Sequence, residues 1–293
     1  MKEIVVISGK GGVGKTNFVA SLALISSREK RIIVSDCDVD TPNLHLILGL
    51  KKILESEKVW GREKAEISKK CKNLDRSKAK VCPFGAIYWD EKEKRLKINK
   101  YLCEGCGICT HFFPKKCITL RKSLIGKRIV GETRYGFKIV YGDLKIGESE
   151  SGKIVSEIKL KTKEIAEKEN DEIIITDSAS GIGCPVIASL RNSDIAIVIF
   201  EPTKMSFEYG KRALEIAKFF EIKTFSIINK SLGNKIEKKI ENFLRKNKIE
   251  LLGKIPFDTK FFESTTKGIP IVLLDKGFEE LFIEFWKKIK FEL

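Results

Sequence analysis

Residues 9–16 read Gly-Lys-Gly-Gly-Val-Gly-Lys-Thr. Glycines at this spacing let successive backbone N–H groups turn inward around a triphosphate. In this reading Gly11, Gly12, Val13 and Gly14 form the cradle. Lys15 reaches the terminal phosphates, the Thr16 hydroxyl ligates Mg²⁺, and Asn17 follows as a further nucleotide-binding position. A second chemical constellation lies downstream. Cys103, Cys106 and Cys109 are separated by two residues each, and Cys82 is followed by Pro83. Three thiolates so close can wrap one corner of an iron–sulfur cube, with the fourth arriving from elsewhere.

The elements that must position these residues are legible around them. An apolar run at 4–7 precedes the glycine loop, and an amphipathic stretch at 17–27 follows it. That strand–loop–helix order is the context a phosphate loop requires. Further strands are expected at 31–35, 172–177, 195–200, 223–228, 251–255 and 271–273. Helices are expected at 16–28, 153–168, 185–191, 206–219, 235–246 and 277–289. Buried apolar strands alternating with helices specify an α/β fold, a doubly wound and mostly parallel sheet. Its ligands gather at the carboxyl ends of the strands.

The alternation breaks between residues 51 and 122, where charged clusters and cysteines dominate. The division expected is an ATPase domain of 1–52 and 123–293, discontinuous around an inserted small α+β domain of 53–122. The stretch 123–151 alternates around glycines and reads as hairpins returning to the core. Phe278, Leu281, Phe282, Phe285 and Ile289 share one face of the last helix, which reads as a buried stripe.

The chain has 293 residues, a net charge of +16 and eight cysteines. No apolar run approaches the ~20 residues that span a bilayer. A strand begins almost at once, so no leader peptide and a cytoplasmic location are expected. In that setting the cysteines point to metal or redox chemistry rather than disulfides. Residues 51–122 hold twenty Lys or Arg against nine Asp or Glu, a net +11. Such a surface suits an acidic protein partner, either an electron carrier or an apo-acceptor. Neither nucleic acid nor a membrane is the expected partner.

Lys10, inside the loop, resembles the signature lysine of the deviant Walker A ATPases, the group of MinD, ParA, the Mrp carriers and the nitrogenase iron protein. The resemblance implies a Mg²⁺- and ATP/ADP-binding dimer in which this lysine reaches the partner's nucleotide, with itself or with a related chain as partner. Asp36-Cys37-Asp38 through Asn43 is similar to the family's first switch. By that likeness Asp38 orients and deprotonates the attacking water, and Asp36 holds Mg²⁺ through its shell. Asp177 and Gly181 match the second switch, which senses Mg²⁺ and the γ-phosphate. Asn229 matches the adenine-reading asparagine, and Pro256 and Asp258 fall where the family closes over the base. Lys10, Lys15 and Asp38 are thus the catalytic candidates.

The cysteine segment resembles a bacterial ferredoxin with two cluster motifs, each lending its last cysteine to the other cluster. Phe113-Pro114 stands where one distal cysteine would be, and Cys82-Pro83 is the other. Counting back from Cys82 reaches Lys78, Asp75 and Lys72, or, with one residue inserted, Ser77, Leu74 and Cys71. Neither register supplies three thiolates. The resemblance therefore implies one [4Fe–4S] cluster on Cys82, Cys103, Cys106 and Cys109, and one degenerate site partly filled by Phe113. Cys117 is the alternative fourth ligand, and zinc the competing metal. Cys184 is read as a small buried residue before Pro185, or as a ligand shared across a dimer. Cys37 is read as inward packing. The whole resembles MinD-superfamily ATPases with an inserted ferredoxin domain. Three functions follow: ATP-gated electron transfer, cluster assembly or carriage, and positioning with the cluster as sensor.

Overall fold

Runs such as Ile4-Val5-Val6-Ile7 and Ile173-Ile174-Ile175 are apolar on both faces of the pleat, which suits strands covered by helices on two sides. The computed structural model, which describes residues 1–68, 71 and 74–293, bears this out. Lys72 therefore lies outside the described residues.

The strands are β1 (Lys2–Ser8), β2 (Ile32–Cys37), β3 (Leu50–Ile67), β4 (Ile87–Asp90), β5 (Arg95–Ile98), β6 (Ile118–Thr133), β7 (Lys138–Leu144), β8 (Ile173–Ser180), β9 (Ile195–Phe200), β10 (Lys223–Ser231) and β11 (Glu250–Pro256). The helices are α1 (Lys15–Ser26), α2 (Leu44–Ile47), α3 (Cys109–Phe112), α4 (Ser151–Glu169), α5 (Cys184–Leu190), α6 (Lys204–Phe219), α7 (Lys235–Lys246), α8 (Lys260–Lys267) and α9 (Lys276–Lys290). The chain forms two compact units. One comprises Met1–Glu57, Lys127–Leu144 and Ser151–Leu293; the other, Lys58–Gly126 and Lys145–Glu150.

The first unit is built on a sheet of order β11-β10-β9-β1-β8-β2-β7-β6-β3, of whose last two strands it holds 127–133 of β6 and 50–57 of β3. β1 runs parallel to β8 and β9, β2 to β8 and β7, and β10 to β9 and β11. One apolar layer joins Phe18, Leu22 and Ile25 of α1 to Phe282, Phe285 and Trp286 of α9. The opposite layer joins Val186 and Leu190 of α5 to Ala213 and Leu214 of α6 and Ile240 and Leu244 of α7. The apolar stripe of α9 is therefore core, with Phe282 and Ile289 fully buried. α1 is buried along nearly its whole length, so the helix behind the glycine loop is clamped from all sides.

Two expectations change. Residues 271–273 form a 3-10 turn, not a strand. Pro270 fixes the entry and Asp275 already caps α9, accepting from Phe278 N at 3.1 Å, so too little chain remains for a strand. Residues 51–67, whose charges suggested a break, lie in β3. As the last strand of the sheet it needs no apolar face on its outer margin. Lys51 pairs with Glu132, and Glu55 with Arg128 and Lys161. The 123–151 stretch contains the β6–β7 hairpin.

The second unit packs Ala86, Ile87, Leu96, Phe113 and Ile118 with the cysteines Cys103, Cys109 and Cys117. β4 and β5 form an antiparallel pair with Ile87 opposite Ile98.

Candidate functional site

In the first unit the chemistry collects at the carboxyl ends of β1, β8 and β2, as parallel sheets dictate. The glycine loop leaves β1 at Ser8 and enters α1 at Lys15. Gly14 caps the helix with φ +93°, where a Cβ would come within 2.3 Å of Asn229 Nδ2. Gly9 passes so close to α6 that a Cβ would meet the Tyr209 backbone at 2.1 Å. Only glycine fits either place.

An open cavity of about 700 Å³ lies over this loop. Of the residues named from sequence, Gly11, Gly12, Gly14, Lys15, Thr16, Asn17 and Asp38 line it. Val13 is buried within the loop. Gly181 adopts φ +96° just after Ser180. Asn229, Pro256 and Asp258 do not line the cavity. Asn229 is instead a brace: its Nδ2 donates to Val13 O at 2.7 Å and its Oδ1 accepts from Lys230 N at 2.9 Å.

Asp36 and Asp177 stand opposite each other on β2 and β8. Asp36 is fully buried and holds the next loop, accepting from Asp38 N, Asn43 N and Leu44 N at 3.0 Å each. Burial and the neighbouring Asp177 push its carboxyl well up from the ordinary range. Burial pushes Asp177 up to about 6, against the pull of Lys15 and the Thr16 hydroxyl. Asp38 is also raised, by burial first, with Lys15 opposing. Among the described residues neither Asp177 oxygen has a well-formed hydrogen bond. Three carboxylates with too little positive charge, next to a threonine hydroxyl, fit a divalent cation with oxygen ligands.

Sequence reasoning missed the polar residues that set the loop's lysines. Lys15 Nζ donates to Ser180 Oγ at 2.9 Å. Lys10 Nζ meets Glu201 Oε1 at 2.5 Å, and Lys230 Nζ meets Glu201 Oε2 at 3.2 Å and Gly12 O at 2.7 Å. Burial alone would raise Glu201, but Lys10 and Lys230 outweigh it and hold its carboxyl below the usual range. Asn17 Nδ2 is held by Ser264 Oγ at 2.6 Å. Ser180 stood inside the second switch and Lys230 beside Asn229, so both had a signal; Glu201 and Ser264 had none.

In the second unit Cys82, Cys103, Cys106 and Cys109 line one small cavity of about 20 Å³. Backbone N–H groups of Ala86 and Ala65 donate to Cys82 Sγ and Cys103 Sγ, each at 3.3 Å. Such donors stabilise negative charge on sulfur. Burial raises the Cys109 thiol, and the three neighbouring cysteines raise it further. Gly105, with φ +69°, brings the loop against Glu63 O, where a Cβ would stand 2.1 Å away. Among the described residues no group of three or more His, Cys, Asp or Glu converges to hold a metal ion.

Two cysteine expectations are overturned. Cys117, the alternative fourth ligand, is disulfide-bonded to Cys71, although no disulfide was expected. Cys184 is exposed, because it opens α5 beyond Gly183 instead of packing beneath it. Cys37 is fully buried, and Phe113 is buried beneath Lys78, which lies 5.6 Å from its ring centre.

A parallel sheet with a glycine loop, a buried lysine and carboxylates at the strand ends defines a P-loop nucleotide hydrolase. Residues 4–271 match the profile of the CobQ/CobB/MinD/ParA nucleotide binding domain, and the chain belongs to that family. An uncharacterized protein of Methanocaldococcus jannaschii is 35% identical over 294 residues, covering 98% of this chain and 96% of the relative. The iron–sulfur cluster carrier protein of the same organism is 24% identical over 304 residues, covering 98% and 83%. The Pyrococcus furiosus cell division ATPase MinD superposes with a TM-score of 0.60 at 16% identity, covering 99% and 98%. MinD of Pyrococcus horikoshii complexed with Mg-ADP gives 0.57 at 16% identity, covering 98% and 95%. The protein is an ATPase that binds ATP or ADP with Mg²⁺. No helix among the described residues is long and apolar enough to cross a membrane.

Proposed function

We propose that this ATPase is a nucleotide-switched dimer whose cycle governs one-electron transfer through an inserted [4Fe–4S] cluster. The observation that carries the reading is the four-cysteine cavity in the same chain as the phosphate loop. Backbone N–H groups of residues 11–16 and Lys15 bind the phosphates. Thr16, Asp36 and Asp177 hold Mg²⁺, directly or through water. Asp38 positions the attacking water and takes its proton, while Gly181 follows the γ-phosphate. Lys10 leaves Glu201 and neutralises charge on the nucleotide of the facing subunit, a second copy or a related chain. Asn229 braces the loop beside the base, with Pro256 and Asp258 closing over it. Cys82, Cys103, Cys106 and Cys109 would hold the cluster, which when bound supplies one-electron redox chemistry. The basic 53–122 insertion receives an acidic partner protein by charge complementarity.

The test is an anaerobic redox titration read by electron paramagnetic resonance, with and without Mg-ATP. One reducible cluster whose potential or line shape moves with ATP supports gating. A cluster indifferent to ATP, or bound zinc in its place, refutes it.

The likeness to an iron–sulfur cluster carrier favours a second reading, cluster delivery. A carrier transfers its cluster to an apo-protein on hydrolysis, whereas a redox protein keeps it. A positioning ATPase has less support, since the apolar stripe of α9 is buried in the core.

A further inference from the structure

The two cysteines left over from the ferredoxin-like ligand set are joined to each other. Cys71 falls at the first thiolate position of the degenerate motif, with one residue inserted, and it is bonded to Cys117. The backbone holds the pair from both sides: Ser68 N donates to Cys117 O at 2.8 Å, and Cys71 N donates to Ser68 O at 3.0 Å.

The two sulfurs differ in access. Cys117 is 7% exposed, within the same apolar cluster as Phe113, Leu96, Cys103 and Cys109. Cys71 is half-buried and lines an open cavity of about 750 Å³. Among the described residues the charged side chains lining that cavity are Glu66, Glu93, Lys94, Arg95, Lys97 and Lys100, an excess of positive charge. Lys100 and Arg121 pair with Glu66, Arg95 and Lys97 share Glu93, and Lys97 also meets Asp90, which leaves Lys94 the lining cation without an ion pair among the described residues. Thiol–disulfide exchange depends on which sulfur the incoming thiolate can reach. Positive charge around the reachable sulfur draws an anion toward it.

We propose that Cys71–Cys117 is a redox-active disulfide whose substrate is a small thiol carrying negative charge, attacked only at Cys71. The incoming thiolate bonds to Cys71 Sγ, the Cys71–Cys117 bond breaks, and Cys117 leaves with the electron pair and takes a proton from water. A second thiolate attacks the substrate sulfur of the mixed disulfide and frees Cys71 as a thiolate, which is then protonated. Two small thiols become one small disulfide, and the protein disulfide becomes two thiols. This two-electron exchange is independent of whether the neighbouring cysteines carry a cluster.

The full chain is treated anaerobically with mercaptosuccinate or with cysteamine, at matched thiolate concentration, and each cysteine is followed by mass spectrometry. Opening with mercaptosuccinate is expected to be about ten-fold faster at low salt and to slow as salt rises, while the cationic thiol speeds up. In the Cys117→Ser chain, oxidised mercaptosuccinate forms a mixed disulfide at Cys71. In the Cys71→Ser chain, Cys117 remains unmodified until denaturant is added. Attack at Cys117 in the folded chain, the same salt response for both thiols, or opening only on unfolding would overturn the proposal. If either variant fails to fold, the salt responses of the unmodified chain decide alone.

Discussion

Glu201→Gln tests whether Lys10 is held back within its own subunit. The glutamate is 7% exposed, Lys10 is 36% exposed, and their oxygen and nitrogen lie 2.5 Å apart. A charge-assisted hydrogen bond contributes about 1.5–3 kcal/mol when dry. A fully exposed ion pair contributes about 0.2–1 kcal/mol. Lys10 sits between these cases, so screening brings the pair to about 1 kcal/mol. Glutamine keeps the shape and loses the charge. One kcal/mol corresponds to roughly a five-fold rise in released Lys10. If Lys10 acts across a dimer of two copies, both lysines are released, and half-maximal specific ATPase activity should be reached at up to roughly 25-fold lower protein concentration. The assay is specific activity against protein concentration at saturating Mg-ATP. In a Lys10→Ala background the same change still removes the partner of Lys230, so any shift left there belongs to the Lys230 pair and is subtracted. An unchanged or higher half-maximal concentration, or an equal shift in the Lys10→Ala background, would refute the reasoning.

Asp177 keeps its proton to about 6 when folded but ionises near 3.8 when unfolded. Between those values the folded apoprotein binds more protons, so this group's contribution to stability is lost as pH rises. Asp177→Asn should therefore gain stability relative to the unmodified chain from about pH 4 to pH 6 in denaturant titrations; a relative loss would contradict the burial argument. Gly14→Ala forces φ +93° on a residue with a Cβ and strikes Asn229, so it should cost about 1–3 kcal/mol and weaken nucleotide binding, read by denaturant titration and calorimetry. Cys106→Ser removes an exposed thiol of the four-cysteine cavity and should abolish anaerobic cluster absorbance while leaving ATP hydrolysis in place.

The glycine loop was legible because phosphate binding by backbone N–H groups is a local property of a short segment. The sheet was legible for a related reason: β9 and α7 are recovered at the residues expected, since buried apolar runs and amphipathic helices declare themselves. Strand β3 was not, because an edge strand carries charge where an interior one carries valine. Glu201 was invisible, as it reaches Lys10 across 191 residues of chain. Cys71 and Cys117 are separated by 46 residues and paired only by the fold. Ligand sets read from spacing describe which sulfurs are near in sequence, and pairing across elements is a tertiary fact.

The margins of the nine-stranded sheet have one more consequence. β3 closes one side; its exposed stretch 51–54 sets Lys51 and Lys52 beside the exposed Ile53 and Leu54. β11 closes the other, with Lys254 held by Glu237 and Glu241. Lysines and ion pairs on terminal strands resist the addition of a further strand. Growth by strand stacking, the simplest route from a sheet to a fibre, is thereby discouraged at the β11 edge and opposed by Lys51 and Lys52 at the β3 edge. If the proposed nucleotide-switched dimer forms, it does so through other surfaces of the chain, which makes its assembly closed instead of open-ended.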